Sequence, residues 1–533
     1  MTCRGAAGSE GMIMSKEKKA NPAAAFLDRT FKISERGSTI GQETAAGAGA
    51  FCVAVCALLM NTQMIGTYYG NYAGSYLAVT LVTFLGTVVL GAVFNLPLLM
   101  TANLSLTTVM ISMMGVNTGL TYANLLFVTC LAAVIALIVA LTPLKKLLVD
   151  ALPAGVRKAL PVGLGLFVIA TALENTGLVS DGTLTNASDY TNLEQFYFVL
   201  AIAMVVVLAI YIAAKRTNAF GSTYFIIIIA MWVFGIVFYL DYFFGGQTAT
   251  TVVYQRLNLI VATDGASPYN IAVGISSLNI GALIAEGLDF TEFTAAGGSV
   301  PLFIAHSVLT YLFLGMYTSI GNADGAQQAA GLAPLSGSDE KKILVVSAAA
   351  NVISPILGGS PVAVSSQSAM ETRDGARTGF ASIVAGIGFL IAIFNWVFFA
   401  LFATGTNGVG MWINDTETKL AAYVQDSFLF ADVIMIFVGA LMLKGIKEVR
   451  TDVQEEFLPF AVTVISGAYL GDIVLGIAIG TVCWLIMKLI GPNRREITIP
   501  AIILTVILAV YAFLTLCYGM DYLIISVATS AWG

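Results

Sequence analysis

The chain holds one histidine in 533 residues, six cysteines, and charged side chains at only 11%. His306 lies near the start of an apolar run and reads as a packed or interfacial residue rather than a ligand. Cys3, Cys52, Cys56, Cys130, Cys483 and Cys517 show neither metal-ligand nor disulfide-framework spacing, and most sit inside apolar runs as small hydrophobes. The sequence also lacks a phosphate-cradling P-loop, a zinc-protease helix and the paired acidic motif of a membrane prenyl-transfer enzyme. These absences leave no enzyme chemistry, metal or cofactor to argue for.

Where charge is scarce, apolar side chains fill the chain: 58% of residues, with a mean hydropathy of +0.87. A soluble chain of this length would make three or four domains of roughly 150 residues. Here apolar runs recur about every 25–40 residues, which is the pattern of an all-α polytopic membrane protein. The net charge of −6 says nothing of a nucleic-acid partner, and none is expected; basic clusters set topology instead. No signal peptide is expected, because residues 1–40 are polar and carry the basic run Lys16 to Lys19.

Residues 1–45 read as a cytoplasmic leader. A first seven-span repeat, 46–241, has spans near 47–66, 74–94, 98–115, 119–142, 157–178, 194–214 and 221–241. Residues 242–298 read as an extracellular, largely solvated insertion containing Asp264, Glu286, Asp289 and Glu292. A second repeat, 299–490, has spans near 299–320, 342–357, 360–373, 378–403, 428–445, 457–470 and 472–490. Residues 491–533 hold a further apolar run, 499–519, as an extra span or an interfacial helix. The positive-inside rule supports the count: Lys145, Lys146, Arg157, Lys158, Lys215, Arg216, Lys341, Lys342, Arg373, Arg377, Lys444, Lys447 and Arg450 all fall on the amino-terminal, inner side. Tyr68, Tyr69, Tyr72, Trp396 and Trp412 suit interfacial belts. Asn186-Ala-Ser188 is a glycosylation acceptor triplet on an expected outside loop.

Two spans break the apolar pattern at matching places. The third begins FNLPLLMTANLSLTTVM (Phe94 to Met110), and the tenth begins GGSPVAVSSQSAM from Gly358. Each has a proline near its start, then small polar residues where lipid-facing leucines belong. Lipid cannot satisfy open backbone or polar side chains, so such segments must be wrapped by protein or line a watery cavity. Paired interrupted spans point to an inverted repeat with the binding site at their meeting point.

Four stretches resemble the AzgA-type purine permeases of the nucleobase–ascorbate transporter superfamily. They are FKISERGSTIGQETAAGAGAF (Phe31 to Phe51), with Asn61 beyond it, ALPAGVRKALPVGLGLFVIATALENTGLV (Ala151 to Val179), and DGARTGFASIVAGIGFLIAIF (Asp374 to Phe394). The fourth is ADVIMIFVGALMLKGIKEV (Ala431 to Val449), followed by Glu456, Pro459, Thr463 and IAIGTVCWLIMKL (Ile477 to Leu489). The resemblance implies fourteen transmembrane spans in two inverted repeats. Spans 1–4 and 8–11 would form a core and spans 5–7 and 12–14 a gate, with short extended segments in spans 3 and 10 around the substrate. It further implies an elevator-type carrier in the plasma membrane, often dimeric. The binding segments depart from the family: its glutamate in span 10 is Gln367 here, two aspartates of span 8 fall on Gly315 and Thr318, and a glycine-rich turn becomes Asn103, Ser105 and Thr107.

A neutral nucleobase needs a flat slot with paired donors and acceptors. Gln367 offers both, and the hydroxyls of Ser365, Ser366, Thr318 and Ser319 adapt to either role. With Asn103, Ser105 and Thr107 these are the expected substrate-binding residues; close helix packing is the other role such residues serve. A coupling proton or other cation needs a switchable group, and Glu371 is the nearest acid, unless it instead pairs with Arg373 or Arg377. Asp472, at the turn of the last hairpin, is expected to be structural. A carrier of another small solute or anion, drawn by half-helix amino termini near Asn103 and Ser360, and a non-transporting receptor are the alternatives.

Overall fold

The computed structural model describes residues 22–69, 72–115, 120–175, 179–180, 183–184, 275–295, 300–394, 436, 438–470, 472–491 and 497–516. The expected sixth and seventh spans, most of the insertion, Trp396, Trp412 and Asn186 lie outside them.

A short helix, α1 (Pro22–Phe31), precedes α2 (Ile40–Tyr69) and α3 (Tyr72–Val88), which ends in a π-turn, Val89–Val93. Strand β1 (Met100–Ala102) leads into α4 (Leu104–Gly115), then α5 (Tyr122–Leu141), the single turn α6 (Leu144–Leu148) and α7 (Ala154–Asn175). After the outlying region come α8 (Val300–Ala330), α9 (Gly337–Ile356), strand β2 (Val362–Val364), the six-residue α10 (Ser368–Arg373) and α11 (Gly379–Phe394). The chain closes with α12 (Gln454–Tyr469), α13 (Ile473–Ile490) and α14 (Ile499–Leu514). Five described helices are long and apolar enough to cross a membrane, and α11 and α14 are shorter apolar helices.

Local chemistry fixes several starts. Thr121 and Asn124 form a reciprocal capping box at α5, and Ser336, Asp472 and Thr498 each cap the helix that follows. Asn95 ends the π-turn with φ at 52°, a conformation asparagine tolerates better than most side chains. Its amide then ties three segments together: Oδ1 accepts from the Gly379 amide at 2.7 Å and Nδ2 donates to the Phe31 carbonyl at 3.0 Å.

Small residues set the helix contacts. A Cβ on Gly379 would run into the backbone of Gly91, so α11 and the π-turn pack main chain to main chain. The apolar interior surrounds the two strands: Leu58, Leu59, Tyr76, Leu98, Leu99, Val362, Val364 and Phe389 form one cluster. Leu125, Leu126, Phe313, Tyr317 and Leu344 belong to a second that continues under α8. Outward faces stay apolar, as with Ile387, Leu390 and Ile391 on α11 and Ile502, Val506 and Phe513 on α14, which suits lipid rather than water.

Ion pairs gather at one end of the bundle. Glu340 at the start of α9 accepts from Lys145 Nζ at 2.8 Å and from Arg157 Nη2 of α7. One residue on, Lys158 reaches Glu456 of α12 at 2.6 Å, and Arg450 holds the other oxygen of that carboxylate, also at 2.6 Å. Lys488 of α13 pairs with Glu455 at 2.5 Å. At the opposite end of α13, Asp472 accepts the amides of Val474 and Leu475 and the hydroxyl of Tyr511 at 2.7 Å, which binds α14 to the bundle.

Candidate functional site

The two interrupted segments meet. β1 and β2 pair antiparallel with Met100 opposite Val364, Thr101 opposite Ala363 and Ala102 opposite Val362. The Asn103 amide donates to the Pro361 carbonyl at 2.9 Å at one end, and the Ser365 amide to Leu99 at 2.9 Å at the other. A two-stranded ribbon leaves a row of backbone groups open along each outer edge, which apolar surroundings cannot satisfy. Side chains cover them. Asn351 of α9 binds Val362 twice, Nδ2 to the carbonyl and Oδ1 from the amide, each at 2.7 Å. Asn322 Nδ2 of α8 donates to the Val364 carbonyl at 2.8 Å. Thr87 Oγ1 of α3 accepts from the Met100 amide at 2.9 Å.

α8 lies along the ribbon. Gly315 faces Leu106 in the first turn of α4, Asn322 meets β2, and the Ala326 carbonyl accepts from Thr372 of α10 at 2.6 Å. On its other face, Gly321 packs against Leu160 and Leu164 of α7. Each interrupted segment therefore runs from a strand into a helix amino terminus beside one long helix.

Within this frame, Asn103 is buried, caps α4 through Oδ1 to the Leu106 amide at 3.3 Å, and has no partner at Nδ2. Ser105 is half-buried in the first turn of α4. Thr107 donates to Asn61 Oδ1 of α2 at 2.6 Å, an oxygen that also accepts from Ser360 Oγ at 2.9 Å. Thr318 is buried with its hydroxyl unpartnered, whereas Ser319 shares a hydrogen bond with Ser347 at 2.8 Å. Ser365 Oγ touches Gln367 Oε1, and Ser366 Oγ lies 3.4 Å from the same oxygen. Asn103 and Ser365 stand at opposite ends of the ribbon, about four strand positions or roughly 13 Å apart at ~3.4 Å per residue, and Gln367 follows two residues beyond Ser365. Thr318 lies on α8 between Gly315, which faces Leu106, and Asn322, which binds Val364, and Asp324 is buried with Oδ1 unpartnered.

Glu371 is fully buried, and Ser382 Oγ lies 3.2 Å from its Oε1. Arg377 instead donates to the carbonyls of Thr372, at 2.5 Å, and Ala376, at 2.8 Å. In the connection to α11, both Asp374 oxygens are sealed from water without a partner; burial pushes that carboxyl up to about 8, against the pull of Arg373. Among the described residues no group of three histidine, cysteine or acidic side chains could hold a metal ion.

Sequence reading assigned no role to Asn322 and Asn351 and gave Asn61 only as a resemblance. An amide inside an apolar helix was the available signal, but its partner, a strand edge, becomes visible only in three dimensions. A cavity of about 20 Å³, room for roughly one water, lies beside this crossing, lined in part by Leu106, Gly315, Ser347, Asn351 and Pro361.

No family model matches the chain. The guanine/hypoxanthine permease GhxP of Escherichia coli O157:H7 is 25% identical over 487 residues, covering 91% of this chain and 96% of that protein. The guanine/hypoxanthine permease PbuO of Bacillus subtilis is 22% identical, covering 91% of this chain and 100% of that protein. The adenine permease AdeP of Escherichia coli is 22% identical over 494 residues, 91% of this chain and 95% of its own. Similarity of this reach, over a chain built of apolar helices around two interrupted segments, defines a multi-pass membrane permease. Within that class the chain is similar, at 22–25% identity over nearly its whole length, to guanine/hypoxanthine and adenine permeases, in keeping with its resemblance to the AzgA-type purine permeases.

Proposed function

We propose that the chain is a secondary-active carrier that imports a nucleobase, a purine first, or a similar small planar solute. The observation that carries this reading is the ribbon joining the two interrupted segments. Beside it lie the donors and acceptors left open on Asn103, Thr318 and Asn322. An amide and hydroxyls of this kind can read the edge of a flat heterocycle, and relatives along nearly the whole chain carry guanine, hypoxanthine and adenine in their names. Asn103, Ser105, Thr107, Thr318, Ser319, Ser365, Ser366 and Gln367 contribute to the slot. Glu371 couples its occupancy to a proton.

On this reading the two interrupted segments belong to inverted repeats 46–241 and 299–490. The paired segments, carried by α2 to α5 and α8 to α11, move as one body against α7, α12 and α13, in an elevator-type motion. The protein sits in the plasma membrane with its amino terminus inside, where the basic end of the bundle would lie, and works as a homodimer. Neutral Gly315, Thr318 and Gln367, where the family has acids, leave a second cargo class, a small anion held at the amino terminus of α4.

Uptake of labelled adenine, guanine, hypoxanthine, xanthine and uracil into a permease-deficient host tests the cargo. Saturable purine uptake that collapses with a protonophore is the expected result, and absence of uptake for all five bases sinks the nucleobase reading. Gln367→Ala should weaken apparent affinity about ten- to hundredfold, the ~1–3 kcal/mol lost with a buried partner. Unchanged saturation would remove Gln367 from the slot.

A further inference from the structure

Glu371 has a second carboxylate beside it. Glu43, in the first turn of α2, is fully buried like Glu371, and Oε2 of each has no hydrogen-bond partner. Both line the start of α11. Glu43 Oε1 accepts from the Arg377 amide at 2.8 Å, and Glu371 Oε1 meets Ser382. Ala46, Ala376 and Ala381 pack between these elements and keep them close.

Among the described residues, two nearby arginines turn their guanidinium groups to backbone carbonyls rather than to either acid. Arg377 directs its guanidinium at the carbonyls of Thr372 and Ala376, and Arg36 directs its own at Asn95 and Arg377. Arg373 ends α10, next to Asp374. α8 adds another acid, Asp324, and α11 carries no charged side chain. Two ionised carboxylates in such surroundings are far costlier to bury than one charge and one neutral acid.

Ser382 makes both states of Glu371 satisfiable. Its hydroxyl has one hydrogen and two acceptors in reach, the Leu96 carbonyl at 3.0 Å and Glu371 Oε1 at 3.2 Å. With Glu371 protonated, the acid donates to Ser382 Oγ and Ser382 donates to Leu96. With Glu371 ionised, Ser382 turns and donates to the carboxylate, while the Leu96 carbonyl keeps the Leu98 amide at 2.9 Å. Leu96 and Leu98 bracket Pro97 on the lead into β1, so the hydroxyl links the acid to the ribbon.

We propose that Glu43 and Glu371 together hold one exchangeable proton, and that Ser382 relays its presence to the backbone entering β1. This rests on the reading of Glu371 as the coupling group and adds its partner and its relay. No covalent bond other than O–H forms or breaks: the proton comes from water and returns to it.

Infrared difference titration of the purified full-length protein, in light and heavy water and without any cargo, tests the pair. The wild type should show a buried carboxyl band that titrates in two coupled steps. Glu371→Gln should remove the component that titrates in two steps, leaving any band from Asp324 and Asp374, and Glu43→Gln should reduce that component's titration to a single step. Ser382→Ala, which keeps both acids, should move the band's frequency and so tests the relay even if either glutamate variant folds poorly. A wild-type spectrum from Glu371→Gln, two steps persisting in Glu43→Gln, or an unmoved frequency in Ser382→Ala would each overturn the proposal. Because no cargo is used, this outcome is independent of the uptake experiment.

Discussion

Replacing Glu340 with alanine is expected to destabilise the purified protein by about 3–5 kcal/mol, the cost of breaking a buried ion pair from one side. Glu340 is 2% exposed and is shared by Lys145, itself 8% exposed, and Arg157. Alanine leaves two cations facing a vacated, water-poor site. Lys145 keeps Asp150 at 3.2 Å and the Gly337 carbonyl at 3.2 Å, which places the loss toward the lower end of that range. The damage should exceed local fraying, because this carboxylate joins α9 to α6 and α7, elements about 190 residues earlier in the chain. A thermal melt in detergent checks it: a large drop in midpoint for Glu340→Ala, a smaller one for Glu340→Gln. An unmoved midpoint in the alanine variant would show that the cluster adds nothing to stability.

The interrupted spans were legible because proline followed by small polar residues cannot face lipid, and that reasoning located both interruptions; that they are extended was only what the family resemblance implied. It could not show the pairing register or what covers the ribbon's outer edges. α8 reads from hydropathy as ending near residue 320, yet it runs to Ala330. Asn322, Asp324 and Gln327 look like loop residues until α7, α10 and β2 are seen to enclose them. α2 starts at Ile40 rather than near 47, because Glu43 resembles a charged helix flank although it is buried against α11. Hydropathy measures preference for lipid, and these residues face protein. Glu371 meets the Ser382 hydroxyl, eleven residues away, a contact that no local pattern announces. The role expected for Asp472 was easier to read, since an acid just before an apolar helix is a cap.

Asn351 offers the test that separates ribbon from bundle. Asn351→Leu removes both bonds to Val362 and puts an apolar group of similar size against an open amide and carbonyl. Two buried groups left unpaired cost ~1–3 kcal/mol each, so β2 should leave its register with β1 while the helices, held by separate contacts, stay packed. Asn351→Ala is expected to be milder. The residue already lines the cavity of about 20 Å³, and the enlarged space could admit a water to bridge the same two groups. Uptake per molecule at the cell surface should therefore fall by more than about tenfold in the leucine variant and less in the alanine variant, with both reaching the membrane. If leucine transports as well as asparagine, the ribbon does not need its outer edge covered, and the site built on it would have to be placed elsewhere.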